Sequence, residues 1–521
     1  MKHIKTSTVA LTLTLGLGLA ACTKLDEKLN SSLTADQAQA ILLAKTDVSV
    51  LLQACYDGLQ TFGNQDGPTS LEENSSDESL VPTRGGDWDD NGVWRVIHTH
   101  NWNADHAQVG SSFNSLLSIV FNTTNVLTFK PSAQQAAEAR YIRAFAMFTV
   151  LDLYGQVPYR DPGENLLNAP KVLSGADAAN FIISELTAIQ NDLPAGPSAG
   201  GKAYQANKDA CRVLLMKCYL NKGAFINRAA PAFDAGDMTK VIALADQITG
   251  YSLANSVFDN YAPSNTTNSN ENIFTNLSIG GSKGGNIRSS WYKTLHYNQN
   301  KSGWNGFSTL AEVYNKFEAT DERRGTNYKD LSPAANLPNP GNRVNAGFLV
   351  GQQYDWKTDA PLQDRKGAPL AFTATVANQE SGNNLEMTGI RVLRYPIDYT
   401  TSNDGSCDND YVFFRYADVL LMKAEAQLRS NNAASALIGV NQLRLKRGAT
   451  PLLALTAGDL LDERQREFYW DGWRRQDMIR FGTFLNARTL KPAASAAKYL
   501  LYPIPSAALA VNPNLKQNPG Y

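Results

Sequence analysis

Apolar residues recur along much of this chain at the spacing that lines one face of a helix. Between Thr46 and Phe62 the positions Val48, Leu52, Cys55 and Leu59 share such a face, as do Leu116, Val120 and Leu127 between Phe113 and Leu127. From Gln134 onward, Tyr141, Ala144, Phe145, Phe148 and Leu151 make the longest stripe, stopped by Gly155 and Pro158. Asp209–Asn221 with Met238–Thr249, and Tyr411–Arg429 with Ala433–Arg447, read as further helix pairs. Near the end, Thr456 can cap a helix with Asp459 three residues on, Leu461 and Phe468 sit on one face, and Gly472 supplies a left-handed stop.

The segment 252–410 has another pattern. Clusters of Asn, Gly, Ser and Pro separate short β-like runs such as Asn272–Ile279 and Ile390–Tyr395. Asn64–Asp105 is also loop-like and rich in Gly, Asp and Trp. Helix pairs with small residues at their contacts are the tetratricopeptide kind of unit, although their starts do not follow that repeat's period of about 34 residues. The expectation is a mainly α fold: tetratricopeptide-like helix pairs form a base, and a loop-rich insertion at about 252–410 carries short β-strands. No Pro- or Ser-rich linker divides the chain, so 33–521 is expected to be a single domain. Long irregular insertions are where binding usually resides.

The stretch DERQREFYWDGWRRQDMIRFG, Asp462 to Gly482, has acids and arginines three or four residues apart: Glu463 with Arg466, Arg464 with Glu467, Arg474 with Asp477. Spacing alone supports a salt-bridged surface hairpin, whose exposed pairs each contribute about 0.3–0.5 kcal/mol. The order of its residues resembles the C-terminal signature of the SusD/RagB family of nutrient-binding outer-membrane lipoproteins. The matching pieces are Asp462-Glu463-Arg464, Glu467, Gly472, Arg474, Asp477, Ile479-Arg480 and Gly482, followed by Pro503-Ile504-Pro505, Asn512-Pro513-Asn514, Gln517-Asn518 and Gly520-Tyr521. Asp471 and Trp473 depart from the commonest form of that signature. Glu138–Tyr159 and Arg415–Gln427 also resemble family segments.

The N-terminus changes the expected compartment. Lys2 and Lys5 precede an apolar run from Val9 to Leu19, and Leu19-Ala20-Ala21 leads into Cys22, an ending similar to the bacterial lipobox. Residues 1–21 are therefore expected to be a lipoprotein signal peptide, Cys22 the lipidated residue, and 22–32 a tether. Acyl chains would hold the protein at a membrane by burying CH₂ groups at about 0.8 kcal/mol each. Cys55, Cys211, Cys218 and Cys407 remain. A helix places Cys211 and Cys218 about 10 Å apart, too far to bridge, so most of these are expected to be buried apolar residues, with the state of Cys407 open.

With 521 residues, 43% hydrophobic and 19% charged, the chain can bury a large core. Its net charge of -1 speaks against a nucleic-acid partner. Candidate catalytic patterns fail on context. Gly196–Ala203 lacks the Ser or Thr of a phosphate loop, and Gly280-Gly281-Ser282-Lys283-Gly284 has no acid followed by histidine downstream. Asp87–Gly92 matches half of a calcium loop, but His98 stands where a bidentate Glu belongs, so only an irregular structural calcium stays open. His98, His100 and His106 have no Cys support for zinc, and surface or core roles are expected. No catalytic residue, metal ligand or cofactor is assigned.

Trp88, Trp94 and Trp102 lie in the first loop region, and Trp291, Tyr292, Tyr297 and Trp304 in the second. A sugar offers an apolar C–H face to a flat ring and hydroxyls to Asn, Asp or Arg at its edge. Each Trp could equally pin its loop to the base, but the group is expected to leave at least one open platform. By loop location, Trp88 and Trp304 are expected to stack, Arg84 and Asn91 to donate to hydroxyls, and Tyr297 to line the same site. The family resemblance implies a surface-exposed, lipid-anchored binding protein that takes an oligosaccharide and delivers it to a TonB-dependent outer-membrane transporter. A peptide-capturing relative and a helical-repeat interaction scaffold are the alternatives.

Overall fold

A computed structural model describes residues 45–285, 287–331, 343–400 and 407–521. The signal peptide, Cys22 and the tether at 22–32 lie outside them. Residues 47–521 cluster as one unit.

The helices begin where the sequence offers caps. In α1 (Val48–Gly58) the Asp47 side chain accepts from Ser49 N at 2.8 Å. After α2 (Ala107–Val126), α3 (Ala133–Tyr154) opens on a Ser132/Gln135 capping box and ends at Gly155 with φ 74°. Then come α4 (Gly175–Ile189), α5 (Lys208–Ile226) with Asn207 as its cap, and α6 (Ala235–Asp246) capped by Asp234. The chain closes with α7 (Tyr416–Arg429), α8 (Ala433–Lys446), α9 (Ala457–Phe468), whose capping box joins Thr456 and Asp459 as expected, and α10 (Arg474–Arg480). Successive helices from α2 to α6 pack side by side, α7 continues on α6, and α8 and α9 pack on α7. This is the expected tetratricopeptide-like base. At its centre α3 is buried on all sides from Tyr141 to Tyr154, the mark of a core helix. No helix among the described residues is long and apolar enough to cross a membrane.

The insertion adds short strands. β1 (Asn272–Asn276) pairs antiparallel with β4 (Tyr411–Arg415); β2 (Ala346–Leu349) pairs antiparallel with β3 (Arg391–Leu393) and, on its other edge, with Gly325–Thr326. The helix expected from Tyr411 therefore starts only at Tyr416. The run Tyr411–Arg415 is buried on both faces against β1 and Phe145, and an apolar stretch with no exposed side carries no period to distinguish strand from helix.

The signature stretch is not a surface hairpin. Glu463, Arg464, Glu467, Arg474, Arg475, Asp477 and Arg480 are all buried. Glu467 accepts from Arg323 and Arg447, each at 3.0 Å, and from Arg415. Glu463 accepts from Arg323 at 2.8 Å and Arg444 at 2.6 Å, and Glu271 joins Arg415 to Arg447. Arg323 and Glu271 belong to the insertion and the rest to the base, so these ion pairs bolt the two together. Of the expected pairs, Glu463 with Arg466 forms at 2.8 Å. Arg464 instead reaches Asp477 and Asp418, and Arg474 reaches Asp77; Glu467 is taken by Arg323, Arg415 and Arg447, and the reversal at Gly472, where φ is 82°, brings Asp477 to Arg464.

Candidate ligand-binding face

Two loops rise from this frame, one before the short helix Val93–His98 and the other between Tyr292 and Phe307. The first turns tightly: Trp88, Asp90 and Asn91 adopt φ of 61°, 39° and 55°. Non-glycine residues in this region each cost of order 1–3 kcal/mol and persist only when neighbours enforce them. Here Asp89 grips Arg95 at 2.5 Å, Asp90 accepts from the Trp94 indole at 2.8 Å, and the Trp88 indole N–H donates to the Trp304 carbonyl at 2.8 Å. The last bond knits the two loops together. Trp88 also packs edge-on against Trp94 and Phe307, with centroids 5.8 and 5.6 Å away, so only part of its ring faces solvent.

Trp304 is the open platform. Its side chain is 42% exposed, and its inner face stacks on Tyr292 at 5.1 Å with the planes 23° apart. The other loop aromatics serve the fold: Trp94, Trp102 and Trp291 are buried, Trp102 donating to the Tyr521 hydroxyl at 2.7 Å and Trp291 to the Tyr395 carbonyl at 2.9 Å. Asn91 is exposed at the tip of the first turn.

Beside these rings runs a polar chain. The Tyr297 hydroxyl donates to Asp87 at 2.6 Å, and the Arg365 guanidinium lies 3.9 Å from the Tyr297 ring centroid. Arg365 donates to Asp87 at 3.2 Å and to Glu386 at 2.6 Å; Glu386 also bonds His296 Nε2 at 2.8 Å. Burial pushes the Tyr297 phenol up, and the Asp87 carboxylate adds to it. Burial lowers the pKa of His296, and its Nδ1 accepts from Asn298 N at 3.0 Å, so the proton lies on Nε2 and is given to Glu386. Burial opposes the charge of Glu386, yet the Arg365 backbone N–H, His296 and the Arg365 guanidinium prevail and hold its pKa below the ordinary value.

One expected donor is not available. Arg84 is 4% exposed, and its guanidinium is taken by the Gly306 and Thr388 carbonyls, at 3.3 and 2.6 Å, and by Ser308 Oγ at 2.9 Å. Burial lowers its pKa to about 10. Arg391 donates to Ser308 and Thr388 as well, at 2.7 and 2.6 Å, so the two guanidiniums fasten the second loop from below. Tyr297 has its hydroxyl engaged and one face covered by Arg365. Trp88 and Trp304 are joined by the bond between the two loops, and Asn91 lies exposed three residues from Trp88. Sequence reasoning missed Arg365 and Glu386, which lie in polar turns with no aromatic signal around them; Asp87 was visible only as part of the half calcium loop.

The carboxylates of Asp87, Asp89 and Asp90 turn to separate protein donors, Tyr297 and Arg365 for the first, Arg95 for the second and Trp94 for the third, and no group of three His, Cys, Asp or Glu side chains among the described residues is arranged to hold a metal ion. His98, His100 and His106 are core residues bonded to backbone carbonyls. Cys55, Cys211, Cys218 and Cys407 are all free and buried, which resolves Cys407; burial pushes its thiol up to about 12.

The sequence profile of the SusD family matches residues 255–492. The chain is similar to the starch-binding protein SusD of Bacteroides thetaiotaomicron, with 25% identity over 438 residues that cover 76% of this chain and 75% of that protein. Among solved structures it is similar to a SusD superfamily protein from Parabacteroides distasonis, 17% identical with a TM-score of 0.68, over 94% of this chain and 100% of that one. It is also similar to surface glycan-binding protein A from Bacteroides thetaiotaomicron in complex with laminarihexaose, 16% identical with a TM-score of 0.64, over 90% of this chain and 98% of that one. At these identities the structural likenesses are likenesses of fold.

Proposed function

We propose, from this likeness to the SusD family, that the chain captures an oligosaccharide on the face carrying Trp304, Trp88 and Asn91. The observation that carries the reading is the Trp304 ring, exposed on one side and backed by Tyr292 on the other. A rigid ring held flat in this way costs little entropy to bind and matches the C–H face of a pyranose. Asn91 is exposed three residues from Trp88, and Asp87 and Arg365, half-exposed and paired with each other, add the donors and acceptors that hydroxyls require. The relatives named above include a starch-binding protein and a glycan-binding protein holding laminarihexaose, which supports a carbohydrate over other cargo.

In this reading the protein binds without transforming its ligand. Acylation of Cys22 anchors it at the outer membrane, facing outward, and a TonB-dependent transporter takes the captured glycan. The decisive experiment is a glycan array followed by calorimetric titration of the best oligosaccharide, with Trp304→Ala beside the native chain. Binding that falls at least about tenfold in the variant supports the reading. Unchanged affinity, or peptide binding with none to any glycan, overturns it. Co-purification of a TonB-dependent transporter from outer membranes tests the delivery step.

A further inference from the structure

A second cavity, of about 280 Å³, shares no residue with the face just described. It opens between α1, the first turns of α3, the loop at 202–205 and the end of β1. Its lining is largely polar. Glu138, 3% exposed, accepts from the Tyr56 hydroxyl at 2.5 Å and from the amides of Gln134 and Gln205, each at 2.8 Å. No Lys or Arg among the described residues pairs with it. A buried carboxylate held only by neutral donors gains no ion pair to offset its desolvation. Asn276 is also 3% exposed, lines the same cavity, and its side-chain amide meets no hydrogen-bond partner among the described residues. Gln205 gives one amide N–H to Glu138 and lines the cavity with a second N–H and a carbonyl oxygen in hand. Gln53 likewise gives one N–H to Asp57.

This set is selective. An anion would need converging cations, but Lys283 is engaged with Asp57 at 2.7 Å, which leaves only the exposed Lys202. A metal ion would need more than one inward carboxylate. An apolar ligand would strand the amides. Side-by-side amides, a carboxylate and tyrosine rings suit a molecule whose every substituent both donates and accepts. We propose that this cavity is a second carbohydrate site, in which the side-chain amides of Asn276, Gln205 and Gln53 bind the hydroxyls of one or two neutral sugar residues. The volume lies just under the range of about 300–1,000 Å³ usual for larger ligands, which sets that size. The proposal stands on this lining alone and not on the Trp304 face.

The test uses the full chain titrated by calorimetry with glucose, galactose, mannose, xylose, maltose, cellobiose and laminaribiose, to about 50 mM. At least one is expected to bind in the millimolar range. Asn276→Ala and Gln53→Ala should each weaken that binding by about three- to tenfold with an unchanged melting temperature, while Trp304→Ala should leave it intact. Should Asn276→Ala unfold the chain, Gln53→Ala, on an exposed residue, decides alone. No binding across the panel, or binding that is insensitive to the cavity variants and lost in Trp304→Ala, overturns the second site. A Trp304→Ala chain that still binds long oligosaccharides at native affinity counts against the first face and leaves this one standing.

Discussion

The Trp88 indole occupies the space that any side chain at Gly306 would need: a Cβ there would sit 2.4 Å from ring atoms Cε2 and Cζ2. The two loops of the candidate face therefore depend on a missing methyl group. With its N–H bonded to the Trp304 carbonyl, Trp88 has no alternative position that keeps the first turn in place. Gly306→Ala is expected to push the ring outward, break that bond and loosen the Trp304 platform. Glycan affinity should fall about tenfold or more, with a red-shifted tryptophan emission, while the base remains folded. Native affinity in this variant would mean the ledge is not needed for binding.

The tryptophans should separate by role. Trp304→Ala removes an exposed ring and should leave the melting temperature nearly unchanged while binding falls. Trp94 is 2% exposed and packs against Trp88 and Phe307, so Trp94→Ala opens a cavity beneath the first loop. It should cost about 3–5 kcal/mol of stability, read from denaturant midpoints.

The contrast shows what the sequence carried. Trp94 and Trp304 sit in loops of similar composition, and nothing local says which is buried: Trp94 packs against Phe307, more than two hundred positions away. Arg84 was misplaced for the same reason, since its acceptors Gly306, Ser308 and Thr388 come from distant segments. The helices of the base were legible because an amphipathic period and a cap are local. Even so, α4, with Ala178, Ile182, Leu186 and Ile189 on its buried face, carried that period and went unread. The charges of the signature stretch were legible as types but not as pairs. Pairing at i,i+3 assumes an exposed face with no rival partners, and these side chains are buried against arginines and acids from distant segments such as Arg323, Arg415 and Asp77.

Glu467 gives the sharpest test of the buried ion pairs. Burial opposes its charge, but Arg447, Arg415 and Arg323 hold its carboxyl well below the ordinary range. Glu467→Ala would leave these guanidiniums clustered without their shared acceptor. Breaking such a site by removing one partner costs about 3–5 kcal/mol. Arg323 would lose a tie to the base, so denaturant unfolding should become less cooperative, with the insertion released first. A variant as stable as the native chain would show that the bolt does not hold the insertion.

The dependence of stability on pH should be a dome, because buried acids here are shifted in both directions. Burial works against the charge of Glu463 and Asp477, but arginines outweigh it and hold each at about 2: Arg323, Arg466 and Arg444 for the first, Arg464 and Arg480 for the second. Their stabilisation is present above the ordinary carboxylate values and is lost as pH falls toward 2. Glu73 is opposite. Burial raises it to about 7, although it accepts the Gly472 N–H at 2.5 Å and a hydrogen bond from Glu78, itself raised by burial and by Glu73. Glu78 in turn accepts from Trp470 N at 3.2 Å, so the two acids grip the turn before α10 while sharing a proton. That contribution is complete below the ordinary value of 4.5 and is lost as pH rises through about 7. Melting temperature should therefore peak at about pH 4.5 and decline toward about pH 7. Glu78→Gln supplies a permanent N–H to Glu73 and should flatten the alkaline side of the dome while leaving the acid side as it was. A native chain whose melting temperature keeps rising past about pH 8 would show that the two carboxyls share no proton.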